Sequence, residues 1–401
     1  MKNLKNIAII GLGHMGRIHL KEFNKVNNAS ISCISDIDPN NAAIANSAGI
    51  SFETDPYEIL RNKKIDGIII ATPTSAHEEL CSFALAKGID VLVEKPCGNS
   101  LDGLMRLKEL EKIHGKRVYI GSQCRFMAPA KKMSELIDEY SIIPESINVE
   151  WTKLHRRSHG GAHYDEAYHS LDLVNHFLHS YLKSVYASLT TKVVDLQNIG
   201  KEELVASANF WIKYITPGIN NVVDVNVYAG MHEAQEIRRI AIKGIVPKDR
   251  SYIKITGWFS DVDKVFNEND ELDSDILTGL TTQSVHLLKA DKANDGFSTS
   301  QFFIYPGRNS GYEKIMKLKN DLWVNLVEEC AAQGVHTELI IENEKTNDLA
   351  DQQQEWVNAL HGEKTIRLAT LDDAIEVHKV ISMGIASERA GQVIYTEAMK
   401  K

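Results

Sequence analysis

"IAIIGLGHMGRIH" (residues 7–19) carries a β-branched run straight into three glycines at positions 11, 13 and 16. Glycine loses more conformational freedom on folding than any other residue, so such a cluster needs a reason. After a predicted strand and at the start of a predicted helix, G-x-G-x-x-G has one. Gly11 makes the tight turn, Gly13 lets a pyrophosphate approach the backbone, and Gly16 lets the helix pack closely on the strand. The helix start adds free N–H groups and positive dipole for the phosphates. Asp36 follows Gly16 by 20 residues at the end of the next β-rich run, where a carboxylate bonds the adenosine ribose hydroxyls. An acid there repels a 2′-phosphate and favours NAD over NADP. Arg17 is the nearest basic residue, on the helix and poorly placed to reverse that preference. His14 and His19 fall in the same segment and read as helix-packing or capping residues.

Working outward, residues 6–121 alternate short strands ("NIAII", "SISCIS", "ISF", "DGIIIA", "DVLVE", "RVYIG") with amphipathic stretches such as 75–87 and 101–114. Gly88 and Gly115 stand where those helices end. This alternation predicts a parallel sheet covered on both faces. After about residue 140 the rhythm changes. A helix over 163–181 precedes "SVYASLTTKVVDL", "ELVASANFWIKY", "NVVDVNVYA" and "EIRRIAIKG", which predict an antiparallel sheet. The acidic stretch 261–275 reads as a solvated loop. Residues 312–334 and 370–388 read as helices, the first with a core stripe of Ile315, Leu318, Leu322, Leu326 and Cys330.

The chain has 401 residues, more than one core usually serves, so two domains are expected. A net charge of −9 argues against a nucleic-acid or anionic-membrane surface. Five cysteines without CxxC spacing predict reduced, buried thiols. The N-terminus has no signal-peptide pattern and no run is long enough for a membrane span, so a cytoplasmic location is expected.

Ligands of doubly wound sheets bind beyond the carboxyl ends of the strands. "ATPTSAHEEL" (71–80) follows the fourth strand there, bringing Thr72, Pro73 and His77. "VLVEKPCGNS" (91–100) follows the fifth and leaves Glu94 and Lys95 at its tip. A lysine so placed is suited to hydrogen-bond a substrate oxygen and stabilise a developing alkoxide. In "HGGAHYDEAYHSLDLVNHFLH" (159–179), a continuous helix would put Asp165, His169, Asp172 and His176 on one face, with Leu171, Val174 and Leu178 on another. His169 suits general acid/base work, oriented by a carboxylate one turn away. The histidines lack a tight metal-binding pair, and no metal is expected; His176 and His179 read as core or capping residues. Arg156 and Arg157 in "LHRRSH" either hold a phosphate or carboxylate of the substrate or serve as surface arginines.

Together these features resemble the glucose–fructose oxidoreductase/inositol dehydrogenase (Gfo/Idh/MocA) family over nearly the whole chain. The resemblance is carried by "GLGHMGRIH", "ATPTSAHEEL", "EKP" (94–96), "GSQCRF" (121–126), "GGAHYDEAYHSLD" and the closing "LADQQQEWVNAL…TIRLATLDDAIEVHKVISMGIASERAGQVI". It implies an N-terminal doubly wound Rossmann domain (1–125). A C-terminal α+β substrate and oligomerisation domain (126–401) would follow, with a large, mostly antiparallel open sheet and the 370–388 helix packing back towards the Rossmann domain. It also implies oxidation of a secondary alcohol on a sugar, cyclitol or sugar derivative, or the reverse, in a homodimer or homotetramer. Residue by residue, Lys95 would contact the reacting hydroxyl and the cofactor region, His169 would be the general acid/base, and Asp165 a substrate or positioning ligand. Arg125, with His163, would lie near substrate. Glu94, Thr72, Pro73 and His77 would line the cofactor cleft, with His14 and Met15 beside the glycines.

The chain departs from the family pattern around the substrate. Ala162 and His163 replace a glycine and an apolar residue, Ala167 replaces a glycine, "RFMAP" is one residue longer, and 245–345 is not recognisable. An NAD-retaining glycosidase using transient oxidation, hydride exchange between two sugars, and a non-catalytic sugar sensor are the alternative functions.

Overall fold

A computed structural model describes residues 3–62, 64–153, 161–178, 180–196, 200–218, 221–231, 237–259, 283–290, 297–304, 336–341 and 348–396. The chain forms two compact units, Met1–Phe126 with Asn347–Ser382 and Met127–Thr346 with Met383–Lys401. The expectations for 261–275 and 312–334, and those for Arg156, Arg157 and His179, lie outside the described residues.

The first unit runs β1 (Lys5–Ile10), α1 (His14–Phe23), β2 (Ala29–Ser35), α2 (Ala42–Ser47), β3 (Ser51–Glu53), α3 (Pro56–Asn62), β4 (Gly67–Ile70), α4 (His77–Ala86), β5 (Asp90–Glu94), α5 (Leu101–His114) and β6 (Val118–Gly121). These strands pair in parallel in the order β6-β5-β4-β1-β2-β3. Ile7–Ile10 and Ile68–Ile70 are buried, because helices cover both faces of a parallel sheet. Strand order reverses between β1 and β4, so their carboxyl ends open a crevice at the switch point. Local signals set the helix limits: the Ser100 hydroxyl accepts from the Gly103 N–H at 3.0 Å, and Gly115 ends α5 in the left-handed region.

In the second unit come α6 (Ala128–Tyr140), β7 (Ile143–Lys153), α7 (Ala162–Asp165), α8 (Ala167–Leu178), β8 (Tyr181–Leu196), β9 (Gly200–Ile215), β10 (Val222–Met231), β11 (Arg238–Val246), β12 (Ser251–Trp258), β13 (Ser284–Ala290), β14 (Phe297–Ile304) and β15 (His336–Ile341). The chain ends with α9 (Asp348–Leu360), β16 (Ala369–Thr370), α10 (Leu371–Ala390) and β17 (Ile394–Tyr395). The second sheet has the order β15-β14-β13-β12-β11-β7-β10-β9-β8-β17 and is antiparallel except at β7–β10 and β14–β15. The four runs read from the sequence are β8 to β11. β7 is an addition, inserted centrally with Ile147, Val149 and Trp151 buried at period two. The described parts of the unrecognised 245–345 region are strands that extend this sheet beyond β11.

Two expectations are corrected. The helix over 163–181 is broken at Glu166, so Asp165 ends α7 while His169 belongs to α8. Glu166 at the interruption is buried and paired, its Oε1 2.7 Å from Lys153 Nζ of β7. Nor do 126–401 form one domain, since 347–382 complete the first unit. Trp356 of α9 is fully buried against Gly67, where a Cβ would come within 2.8 Å of the indole. β16 pairs antiparallel with β6.

The start of α10 is tied down by charge. Arg125 is 3% exposed and its guanidinium meets Asp373 Oδ1 at 3.0 Å. Thr370 donates to Asp373 Oδ2 from both its N–H and its hydroxyl at 2.8 Å, a capping arrangement. Burial alone would push the Asp373 carboxyl up; the guanidinium and the Thr370 donors outweigh it and hold the carboxyl below its ordinary value. A depressed carboxyl stabilises the fold above its ordinary pKa and stops doing so as pH falls through the folded value. Asp373→Asn is therefore expected to lower unfolding free energy by about 1–3 kcal/mol at neutral pH. The gap from wild type should shrink below about pH 4. Denaturant titrations at both pH values check this, and a gap unchanged in acid contradicts it.

Candidate active site

The three glycines do different work. Gly11 has φ +94°, and a Cβ there would stand 2.6 Å from the Ala71 carbonyl oxygen at the tip of β4. A Cβ on Gly16 would stand 1.8 Å from the Gly11 oxygen. Both therefore let backbone meet backbone. Gly13 is different: a Cβ there would meet no protein atom within 4 Å, and its φ of −63° suits any residue. The space beside it is a cradle that a side chain would fill. α1 begins at that cradle with no side-chain cap and no acid in its first turn, so its N–H groups remain available to an anion. His14 and Met15 are the first residues of that turn, exposed and half-buried respectively.

Asp36 stands at the tip of β2. Its carboxylate accepts from the Leu12 N–H of the glycine loop and from the Asp38 N–H, the latter at 2.8 Å. This ties the carboxylate to the cradle. Ile37 beside it is 88% exposed, an apolar side chain left in the open at a strand tip. It went unread because a lone Ile after a strand looks like any strand residue. Arg17 is held by the Leu12 carbonyl at 3.0 Å and Asn41 Oδ1 at 2.9 Å.

At the tip of β4, Thr72 is half-buried, with a buried hydroxyl that has no protein partner, and Pro73 is exposed. His77 is buried, and its ring nitrogens face the carbonyls of Thr72 at 2.8 Å and Pro96 at 2.9 Å. It is a strut between the β4 and β5 tips rather than a wall of the crevice. Glu94 at the end of β5 is also turned inward, with Oε1 at 2.8 Å from His19 Nε2. Lys95 follows it, half-buried, before a cis peptide bond to Pro96. Arg125, expected near substrate, is instead buried on Asp373, because a guanidinium inside a fold must keep its counter-ion.

In the second unit, one candidate, His169, lies against Trp151, near the end of β7. The His169 ring stacks on this indole at 6.4 Å and 28°, Phe259 packs at 5.6 Å, and the Arg238 guanidinium lies 5.7 Å over the ring. His169 is 8% exposed. His163 packs on Tyr164, and its Nδ1 is buried without a protein partner. Burial pushes the His163 imidazole below its ordinary pKa against the pull of Asp165, which keeps it uncharged at neutral pH. Asp165 is half-buried on the short helix before the break. His176 faces Ser134 Oγ at 3.3 Å, a packing role, and Asp172 is buried in α8. Among the described residues, no group of three or more His, Cys, Asp or Glu is arranged to hold a metal ion.

A cradle open only at the second glycine, an uncapped helix start and a carboxylate tied to the loop fit a dinucleotide. Residues 5–122 match the model of the Gfo/Idh/MocA oxidoreductase family, NAD-binding Rossmann fold. Residues 5–122 thus resemble that family's NAD-binding domain. The chain is similar to an uncharacterised oxidoreductase, YrbE, of Bacillus subtilis (27% identical over 193 residues, 45% of this chain and 55% of that protein). It is also similar to an inositol 2-dehydrogenase of an Arthrobacter species (29% over 146 residues, 35% of this chain and 43% of that protein). The matches thus span about half the length of these relatives. The fold extends further: apo scyllo-inositol dehydrogenase from Lactobacillus casei superposes with TM-score 0.68 at 14% identity, covering 98% of this chain and 99% of that one. The same enzyme with bound NAD(H) and scyllo-inositol gives 0.64 at 15% identity, with the same coverage.

The glycine assignments separate cleanly by experiment. Gly13→Ala is expected to leave the melting temperature near wild type and to weaken NAD binding about tenfold or more, since it fills the cradle alone. Gly16→Ala is expected to lower stability by about 1–3 kcal/mol. Calorimetric titration and thermal melts check both; equal destabilisation by the two variants contradicts the division of roles.

Proposed function

We propose that the protein is an NAD-dependent oxidoreductase that interconverts a secondary alcohol and a ketone on a cyclitol, sugar or sugar derivative. The observation that carries this reading is the cradle beside Gly13 with Asp36 tied to the same loop. The glycine loop and the N–H groups at the start of α1 would hold the pyrophosphate of NAD, which when bound would supply the hydride chemistry. Asp36 would accept from the ribose hydroxyls and oppose a 2′-phosphate, and the exposed Ile37 beside it would offer an apolar surface to the adenine. His14, Met15 and Thr72 complete the contacts.

The protein's own part is proton handling and charge. Lys95 donates to the substrate oxygen and stabilises its developing negative charge. His169 takes the hydroxyl proton during oxidation and returns it during reduction, its ring plane held by the Trp151 indole. Asp165 and His163 orient the substrate. The inositol dehydrogenases among the relatives support a polyol substrate.

The open face of the second sheet supports self-association into a homodimer or homotetramer. Tyr186 and Trp211 stand exposed there with rings 5.5 Å apart, while their neighbours Val185, Ala187, Phe210 and Ile212 are buried on the other face. Trp211→Glu is expected to reduce the mass seen by sedimentation equilibrium; an unchanged mass contradicts this interface.

His169→Ala is expected to cut turnover by about 10²–10⁴-fold with the fold and NAD binding intact. Lys95→Ala should cut it by about 10²–10³-fold. The NADH absorbance assay against inositols, sugars, sugar phosphates and nucleotide sugars measures both. A His169→Ala enzyme with wild-type turnover contradicts the assignment.

A further inference from the structure

We infer that His19 and Gln353 are positioning residues for Lys95, acting through a buried carboxylate. His19 of α1 is 1% exposed, with Glu94 Oε1 2.8 Å from its Nε2. On the other side of the ring, Gln353 of α9 sets its Nε2 2.9 Å from His19 Nδ1 and donates to the His19 carbonyl at 3.1 Å. An amide oxygen cannot donate to a carbonyl, so the group at that position is the NH2, and Nδ1 is an acceptor. The ring proton therefore sits on Nε2 and is donated to Glu94. The second oxygen of that carboxylate, Oε2, accepts from the Lys95 main-chain N–H at 3.3 Å.

Glu94 is thus turned away from the cofactor, with both oxygens engaged inside the unit. A buried carboxylate without partners is strongly unfavourable, so this one stays where its donors are. β6 is shaped around it: a Cβ on Gly121 would come 2.9 Å from Glu94 Oε1. The chain of contacts joins the glycine-loop helix, the β5 tip and α9, residues 75 and 334 positions apart in sequence. It fixes the backbone from which the Lys95 ammonium is aimed. The inference builds on the role proposed for Lys95, and its test keeps the two separable.

The variants are His19→Leu, which keeps bulk and loses the donor, and His19→Gln, whose amide NH2 retains one. In His19→Leu, kcat should fall about 10- to 100-fold, as expected for a misplaced catalytic group. NAD Kd should stay within about threefold, and His19→Gln should recover most of the loss. A readout that needs no substrate accompanies this: acylation of Lys95 by an activated ester, followed by peptide mass spectrometry. Lys95 should react faster in His19→Leu than in wild type or His19→Gln, with Lys87 unchanged. A folded His19→Leu with wild-type Lys95 reactivity overturns the inference, as does a His19→Gln as impaired as His19→Leu. Wild-type protein that turns over no alcohol, while the acylation pattern holds, counts against the dehydrogenase reading alone.

Discussion

Backbone meeting backbone at the end of β1 is the contact on which the cofactor side of the structure depends. Gly16 rests on the Gly11 carbonyl, and Gly11 rests on Ala71 at the tip of β4. No side chain fits at either place, so α1 starts close to the sheet and its uncapped N-terminus opens at the switch point. Gly13, released from any packing duty, is what leaves the cradle open. The same closeness brings the Leu12 N–H to Asp36, so one turn ties the start of α1 to the tip of β2.

Around this turn the polar side chains that looked like ligands divide into two kinds. His77, Glu94 and Arg125 face inward and tie elements of the unit together: His77 between the Thr72 and Pro96 carbonyls, Glu94 on the His19 ring and the Lys95 N–H, Arg125 on the Asp373 carboxylate. Asp36 and Lys95 remain as the groups presented by strand tips. Buried charge needs its partner nearby, so the inward set secures the loops from which the outward set acts. In the second unit, Lys153 and Glu166 form the corresponding buried pair, between α7, which ends at Asp165, and α8, which carries His169.

Much of the first unit was legible in the sequence because its signals are local. β-Branched runs, glycines after helices and the glycine loop each act over a few residues, and α5 begins and ends where Ser100 and Gly115 place it. What escaped depends on distant partners. The burial of Glu166 needs Lys153 from β7, and the burial of Arg125 needs Asp373 far along the chain. The role of His19 needs Glu94 and Gln353, and on spacing alone it was a packing histidine. β7 carried a period-two pattern of Ile147, Val149 and Trp151, obscured by Pro144 and the glutamates around it. Substrate-side residues were the hardest to read, since the departures from the family pattern at Ala162, His163 and Ala167 cluster there.

The most direct test of the central claim follows the hydride itself. The protein is incubated with NAD and an inositol or sugar carrying deuterium on its carbinol carbon, then denatured, and all nicotinamide, free or retained, is analysed by mass spectrometry and NMR. The account predicts one deuterium at nicotinamide C4 together with the matching ketone. Ketone formation without label at C4, or no label from any alcohol that binds, would contradict hydride transfer. Label on retained cofactor with glycoside cleavage and no ketone released would move the function to the glycosidase alternative.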